Sequence, residues 1–182
     1  ERFALAGHSM GGRIALEIMR RAPERVLKLA LACTDYRGHE SAEARVAEAA
    51  RRDAMLAKAT AEGMDGFARM WVSHILPPYR LTDEPLVSEV VAMMARQPVE
   101  ALAAQTHAAL MREDQTGLLA LISCPTLLCA GEDDALRPVE VHRQMAELIP
   151  DSSLIVIERS AHMVALERPD AVTRALRDWL LA

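Results

Sequence analysis

Several things are scarce in this sequence, and each shortage removes a class of function. There is no surplus of positive charge: 21 Lys and Arg stand against 26 Asp and Glu, for a net charge of −5. A nucleic-acid binder needs a basic face to neutralise phosphates, so that class is set aside. No apolar run approaches the roughly 20 residues of a membrane helix, so no membrane partner is expected. The cysteines, Cys33, Cys124 and Cys129, are an odd three, each in or beside an apolar strand-like run. They read as buried thiols in a reducing compartment, and the expected location is cytoplasmic. A metal site would need His or Cys partners at ligand spacing, and the sequence shows no such spacing, so no metal is expected. Internal repeats, low-complexity linkers and a signal-peptide pattern are absent too. The first residue is Glu1, not Met, and it stands almost inside a strand, so a preceding segment is expected.

What is present begins with Phe3–Gly12. A short apolar run of strand character meets Gly7-His8-Ser9-Met10-Gly11, and an apolar pattern at helical spacing follows in Arg13–Met19. A Gly-x-Ser-x-Gly pentapeptide between a strand and a helix is the context of a nucleophile elbow. A serine at so tight a turn takes a strained backbone, so the residues two before and two after it are expected to need minimal bulk. Gly7 and Gly11 fill those places, and Gly12 gives the helix room to pack on the strand. The turn puts Ser9 at a helix N-terminus, where unpaired N–H groups favour developing negative charge. The N–H of Met10 is one natural donor to an oxyanion.

The 182 residues, 51% of them hydrophobic, suffice for a sizeable core. A helix is predicted over Met10–Arg21 and a second strand over Val26–Cys33, which together with the first strand make a βαβ unit and imply a parallel sheet. From Thr34 to Ile122 strand signals vanish. Helices are predicted over Ser41–Ala61, Gly66–Ile75, Pro85–Arg96 and Pro98–Met111, with a short piece over Gln115–Ile122. Strands resume at Pro125–Ala130 and Ser153–Ile157, followed by helices over Pro138–Ile149 and Pro169–Leu181. The expected organisation is a core of residues 1–33 and 123–182 carrying a helical cap or lid over 34–122.

A serine hydroxyl needs a base to take its proton, and the base needs a third group to fix its tautomer. Both should follow later strands, at the sheet's carboxyl edge beside Ser9. Asp134 follows the third strand in Gly131-Glu132-Asp133-Asp134, with Asp133 as the alternative. His162 follows the fourth in Glu158-Arg159-Ser160-Ala161-His162. The order serine, acid, histidine matches strand–turn–helix hydrolases.

On these residues the chain resembles an α/β-hydrolase. Gly-His-Ser-Met-Gly-Gly, Cys-Pro-Thr-Leu-Leu-Cys-Ala-Gly-Glu-Asp-Asp and Ala-His-Met are similar to that superfamily's elbow, acid and histidine segments. The usual Gly-x-x-Asp of the acid maps onto Gly131 and Asp134. Arg159 and Ser160 stand where a glycine usually precedes the histidine. The resemblance is nearest to bacterial carboxylesterases and enol-lactonases with short helical caps. It implies further strands before the elbow, so that these residues would be the carboxyl-terminal part of a larger fold.

The expected function is therefore a serine hydrolase acting on a small carboxylic ester or lactone through an acyl-enzyme, with Ser9, His162 and Asp134 catalytic and no cofactor. The same triad resembles sites of C–C bond hydrolases, acyltransferases and cofactor-free haloperoxidases, and a binding protein on the same fold is the non-enzymatic alternative. His8 and Trp71 are the candidate substrate-contacting residues. His39 and His142 are expected at the surface, and His74 and His107 on solvated faces of the cap. The six methionines of the cap, Met55, Met64, Met70, Met93, Met94 and Met111, are expected mainly to pack. Arg112, Glu113 and Asp114 read as a solvated helix end.

Overall fold

Four short apolar segments pair side by side in parallel in the computed structural model, which describes residues 1–182. They are β1 (Phe3–His8), β2 (Val26–Ala32), β3 (Thr126–Gly131) and β4 (Ser152–Ile157), in spatial order β1-β2-β3-β4. Leu5 pairs with Leu29, Leu31 with Leu128, and Gly131 with Ile157. β3 is buried along its whole length, as an apolar run without alternation predicts for an inner parallel strand. β1 lies at the sheet's edge, with Ala4 and Ala6 exposed.

Successive side chains alternate between the two faces. Leu29, Leu31 and Leu128 meet Leu16 and Met19 of α1 (Met10–Arg21) and Met145 of α6 (Val139–Leu148). Ala30 and Leu127 meet Ala175 and Trp179 of α8 (Pro169–Leu181) on the other face. Cys33, Cys129, Ile157 and Val172 extend that second cluster. Full burial of a side chain such as Leu16 or Leu128 contributes about 1.5–3 kcal/mol. All three cysteines are free and buried.

The chain divides into two compact units, Glu1–Tyr36 with Gln115–Ala182, and Arg37–Asp114. Tyr36 is part of the sheet unit's core, and its carbonyl accepts from the N–H of Gln115 at 2.9 Å. Leu119 and Ile122, in and just after the one-turn α5 (Thr116–Leu119), are buried in the same core.

The second unit is helical throughout. Its long α2 (Ala42–Ile75) is broken at Gly63, whose φ of 73° and ψ of 174° suit glycine alone. Ser41 caps the helix by accepting from the N–H of Ala44 at 3.1 Å. α3 (Glu84–Ala95) and α4 (Val99–Leu110) follow; Asp83 caps α3, and Pro98 stands just before α4. Phe67, Val72 and Ile75 of α2 and Leu86, Val90 and Val91 of α3 are the larger buried apolar residues of those two helices.

Three expectations about polar residues are corrected. Arg112 does not sit at a solvated end: its two terminal nitrogens reach Glu48 at 2.9 and 2.7 Å, and Arg52 reaches the same carboxylate at 2.7 Å. His39 is half-buried, with Nδ1 3.5 Å from Glu48 and Nε2 3.2 Å from the carbonyl of Leu110. His142 is fully buried, because on α6 it shares a face with Met145 and Ile149. Its Nε2 accepts from the N–H of Thr34 at 3.2 Å. His74 and His107 are exposed as expected. None of the six methionines is buried; five are half-buried and Met111 is 56% exposed.

Candidate active site

Parallel pairing brings the carboxyl ends of all four strands to one edge, and the turns that follow them hold Ser9, Thr34, Asp134 and His162. Ser9 directly follows β1 and precedes α1, at φ 53° and ψ −118°. Such a backbone costs on the order of 1–3 kcal/mol for a residue with a side chain and persists only where its surroundings fix it. Here the end of β2 does so. The Ser9 N–H donates to the carbonyl of Ala32 at 2.9 Å, and the Thr34 hydroxyl donates to the carbonyl of Ser9 at 2.6 Å. Thr34 is fully buried and is tied through its own N–H to His142. Thr34 carries only one signal in the sequence, its place just beyond a parallel strand.

The glycines around Ser9 are not equivalent. A Cβ on Gly7 would stand 2.3 Å from the carbonyl oxygen of Gly11, and a Cβ on Gly12 would stand 2.4 Å from the Thr34 hydroxyl. A Cβ on Gly11 would meet nothing within 4 Å. The expectation that bulk is excluded two residues after the serine is therefore corrected: the crowding falls at Gly7 and Gly12.

The Ser9 hydroxyl does not cap its helix. Its Oγ instead lies 2.8 Å from His162 Nε2, and His162 Nδ1 lies 2.8 Å from Asp134 Oδ2. A carboxylate only accepts, so Nδ1 carries the imidazole proton and Nε2 presents its lone pair to Ser9. Asp134 is fixed by its other oxygen, which accepts from the N–H groups of Leu136 and Arg137, each at 2.9 Å. Burial works against its ionisation, but the His162 hydrogen bond and charge and the two N–H groups outweigh it, so its carboxyl stays below the usual range. Asp133, the alternative acid, is exposed at the next position, and its N–H donates to the carbonyl of Ser160 at 2.8 Å.

The loop carrying His162 is held closely. Arg159 takes φ 52°, a left-handed position where glycine costs less. A Cβ on Gly131 would stand 2.1 Å from the carbonyl oxygen of Ala161, so β3 and this loop approach as closely as backbones can. The Ala161 carbonyl also accepts from the Cys33 thiol at 3.8 Å. His8 lies beside His162, ring centroids 5.1 Å apart, with its Nε2 2.7 Å from the His162 carbonyl oxygen. Burial foremost, then the proximity of His162, lowers the His8 pKa and favours a neutral ring. Met10 is the first residue of α1, where N–H groups lack intrahelical acceptors. Trp71, in the helical unit, is half-buried and stacks on His74 at 4.8 Å and on Phe67 at 6.0 Å.

Donor atoms of His8, Cys33 and His162 lie within 4.8 Å of one another, a closeness the sequence spacing did not reveal. The donor chemistry is poor for a cation. Both His162 nitrogens are engaged, and burial pushes the Cys33 thiol pKa far up, away from the thiolate a metal would bind. No helix is long and apolar enough to cross a membrane.

A parallel sheet covered by helices on both faces, with its serine, aspartate and histidine gathered at one strand-end edge, defines an α/β protein whose site lies at the carboxyl ends of its strands. Within that class the chain belongs to the α/β-hydrolase-fold family, whose sequence profile matches residues 1–169. A relative from Azorhizobium caulinodans, provisionally named the carbamate hydrolase RutD, is 30% identical over 177 residues, covering 94% of this chain and 63% of its own length. The pimeloyl-[acyl-carrier protein] methyl ester esterase of Chromobacterium violaceum is 28% identical over 190 residues, covering 97% of this chain and 69% of its own. Among solved structures, a thermophilic esterase from Thermogutta terrifontis superposes with a TM-score of 0.87 at 31% identity, covering 98% of this chain and 64% of its own. The chain thus spans somewhat less than two thirds of the first of these relatives.

Proposed function

We propose that the protein carrying this chain is a serine hydrolase that cleaves a small carboxylic ester, open or cyclic, through an acyl-enzyme. The observation that carries the reading is the unbroken hydrogen-bonded chain from Ser9 through His162 to Asp134. The ester named for the Chromobacterium violaceum relative, and the esterase named for the Thermogutta terrifontis structure, support the substrate class.

In the acylation step the Ser9 Oγ attacks the ester carbonyl carbon while its proton passes to His162 Nε2. Asp134 holds the imidazole in orientation and stabilises the imidazolium. The oxyanion forms at the start of α1, where the Met10 N–H and the helix dipole favour negative charge. As the tetrahedral species collapses, the bond to the alcohol oxygen breaks and His162 returns the proton to that oxygen. A water then gives its proton to His162 and attacks the acyl carbon. The Ser9 ester bond breaks, and His162 reprotonates Ser9 as the acid leaves. The helical unit, with Trp71, is assigned to substrate selection on the strength of its insertion between two parallel strands.

Ser9→Ala in the full-length protein is the test, with a nitrophenyl ester as substrate. A loss of about 10³-fold or more in kcat, with KM little changed, is expected. Retained turnover would refute the assignment of Ser9.

A further inference from the structure

We propose that His8 is a positioning residue that fixes the catalytic base relative to the nucleophile by donating from Nε2–H to the backbone carbonyl of His162. The proposal rests on the Ser9–His162–Asp134 reading and deepens it.

The bonds that hold the 157–162 loop come mostly from its own side of the sheet. The Glu132 N–H donates to the carbonyl of Ile157 at 3.0 Å, and the Asp133 N–H to that of Ser160 at 2.8 Å. Glu167 accepts from the N–H of Ala161 at 2.9 Å. These contacts fix the loop on the β3 and β4 side. The nucleophile directly follows β1, at the far edge of the four-stranded order. His8 is the residue immediately before Ser9, and its 2.7 Å bond ends on the carbonyl of the base itself. It therefore ties the two reacting residues together through one side chain, across a sequence separation of 154.

The chemistry of the pair is consistent with that role. A carbonyl oxygen only accepts, so Nε2 of His8 carries the proton. His8 is half-buried with its ring 5.1 Å from that of His162. During acylation His162 becomes cationic, and a second cation beside it would oppose the step. Burial keeps His8 neutral, so it can hold the loop without opposing that charge. Misplacing a catalytic group by about 1 Å can cost 10²-fold in rate, so one such tether has a measurable effect.

Three variants of the full-length protein separate a tether from mere filling. His8→Phe keeps the ring's bulk and loses the donor; His8→Ala loses both; His8→Gln places an amide N–H at similar reach. The expected result is a fall in kcat of about 10–100-fold for His8→Phe and His8→Ala, with KM changed less than about 3-fold, and recovery to within about 3-fold of the parent by His8→Gln. The downfield proton resonance of the His162–Asp134 bond should broaden in His8→Phe and sharpen again in His8→Gln. Parental kcat in His8→Phe, or equal damage in His8→Phe and His8→Gln, would overturn the proposal. A parent with no turnover and no labelling of Ser9 by a fluorophosphonate would instead defeat the triad reading. The His162–Asp134 resonance still decides on the tether in that case, because it does not depend on turnover: no change in His8→Phe would overturn it.

Discussion

The two units of this chain solve the same problem in different ways. In the sheet unit, buried polar groups are satisfied by backbone at strand ends: Thr34 on Ser9, His142 on Thr34, Asp134 on two N–H groups. In the helical unit the central polar feature is an ion cluster, with Glu48 held by Arg52 and Arg112. Backbone partners have fixed positions and short range, so the first solution orients groups tightly enough for chemistry. Long charged side chains hold helices together without demanding that accuracy.

The largest effect that tests this contrast belongs to the sheet unit. Gly7→Ala drives a Cβ into the backbone of Gly11, and relief requires moving the strand or the elbow. A loss of about 3 kcal/mol or more is expected from thermal denaturation, with labelling of Ser9 abolished. Gly11→Ala, two residues past the serine, meets open space and should leave the melting temperature nearly unchanged. If the two glycines proved equally sensitive, the steric account of the elbow would fail. Leu128→Ala removes a fully buried side chain from the same unit and should cost about 2–5 kcal/mol.

A smaller effect is expected in the helical unit. Burial opposes the charge on Glu48, but the hydrogen bonds and charges of Arg112 and Arg52 hold its carboxyl down to about 2 from an ordinary 4.5. A depressed carboxyl stabilises the fold above its unfolded value, and that contribution is lost as pH falls from about 4.5 towards 2. Glu48→Gln should therefore destabilise the protein by about 1–3 kcal/mol at neutral pH and flatten the fall in melting temperature across that acidic window. Glu17, paired with Arg20 and Arg21 on the exposed side of α1, is also held near 2. Solvent screens that pair, so Glu17→Gln should change stability by less than about 0.5 kcal/mol. Equal effects at Glu17 and Glu48 would show that burial does not set the worth of the cluster.

The same contrast explains what could be read from the sequence. The parallel strands were legible as short apolar runs, α1, α6 and α8 by their helical hydrophobic period, and Ser9, Asp134 and His162 because each lies in the turn that follows a strand. The burial of His142 was readable from its spacing to Met145 and Ile149, but its polarity argued the other way. The pairing of Glu48 with Arg112 was not legible: 64 residues separate them, and nothing local marks either. The order of crowding among Gly7, Gly11 and Gly12 depends on where the Gly11 carbonyl and the Thr34 side chain come to lie, which no sequence pattern states.

Activation of Ser9 by His162 underlies the proposed chemistry. Labelling of the full-length protein by a fluorophosphonate, mapped to the modified residue by mass spectrometry, addresses this most directly. One label per chain on Ser9 is predicted, lost in Ser9→Ala and slowed by about 10²–10⁴-fold in His162→Ala. An unlabelled Ser9, or a labelling rate indifferent to the loss of His162, would contradict it.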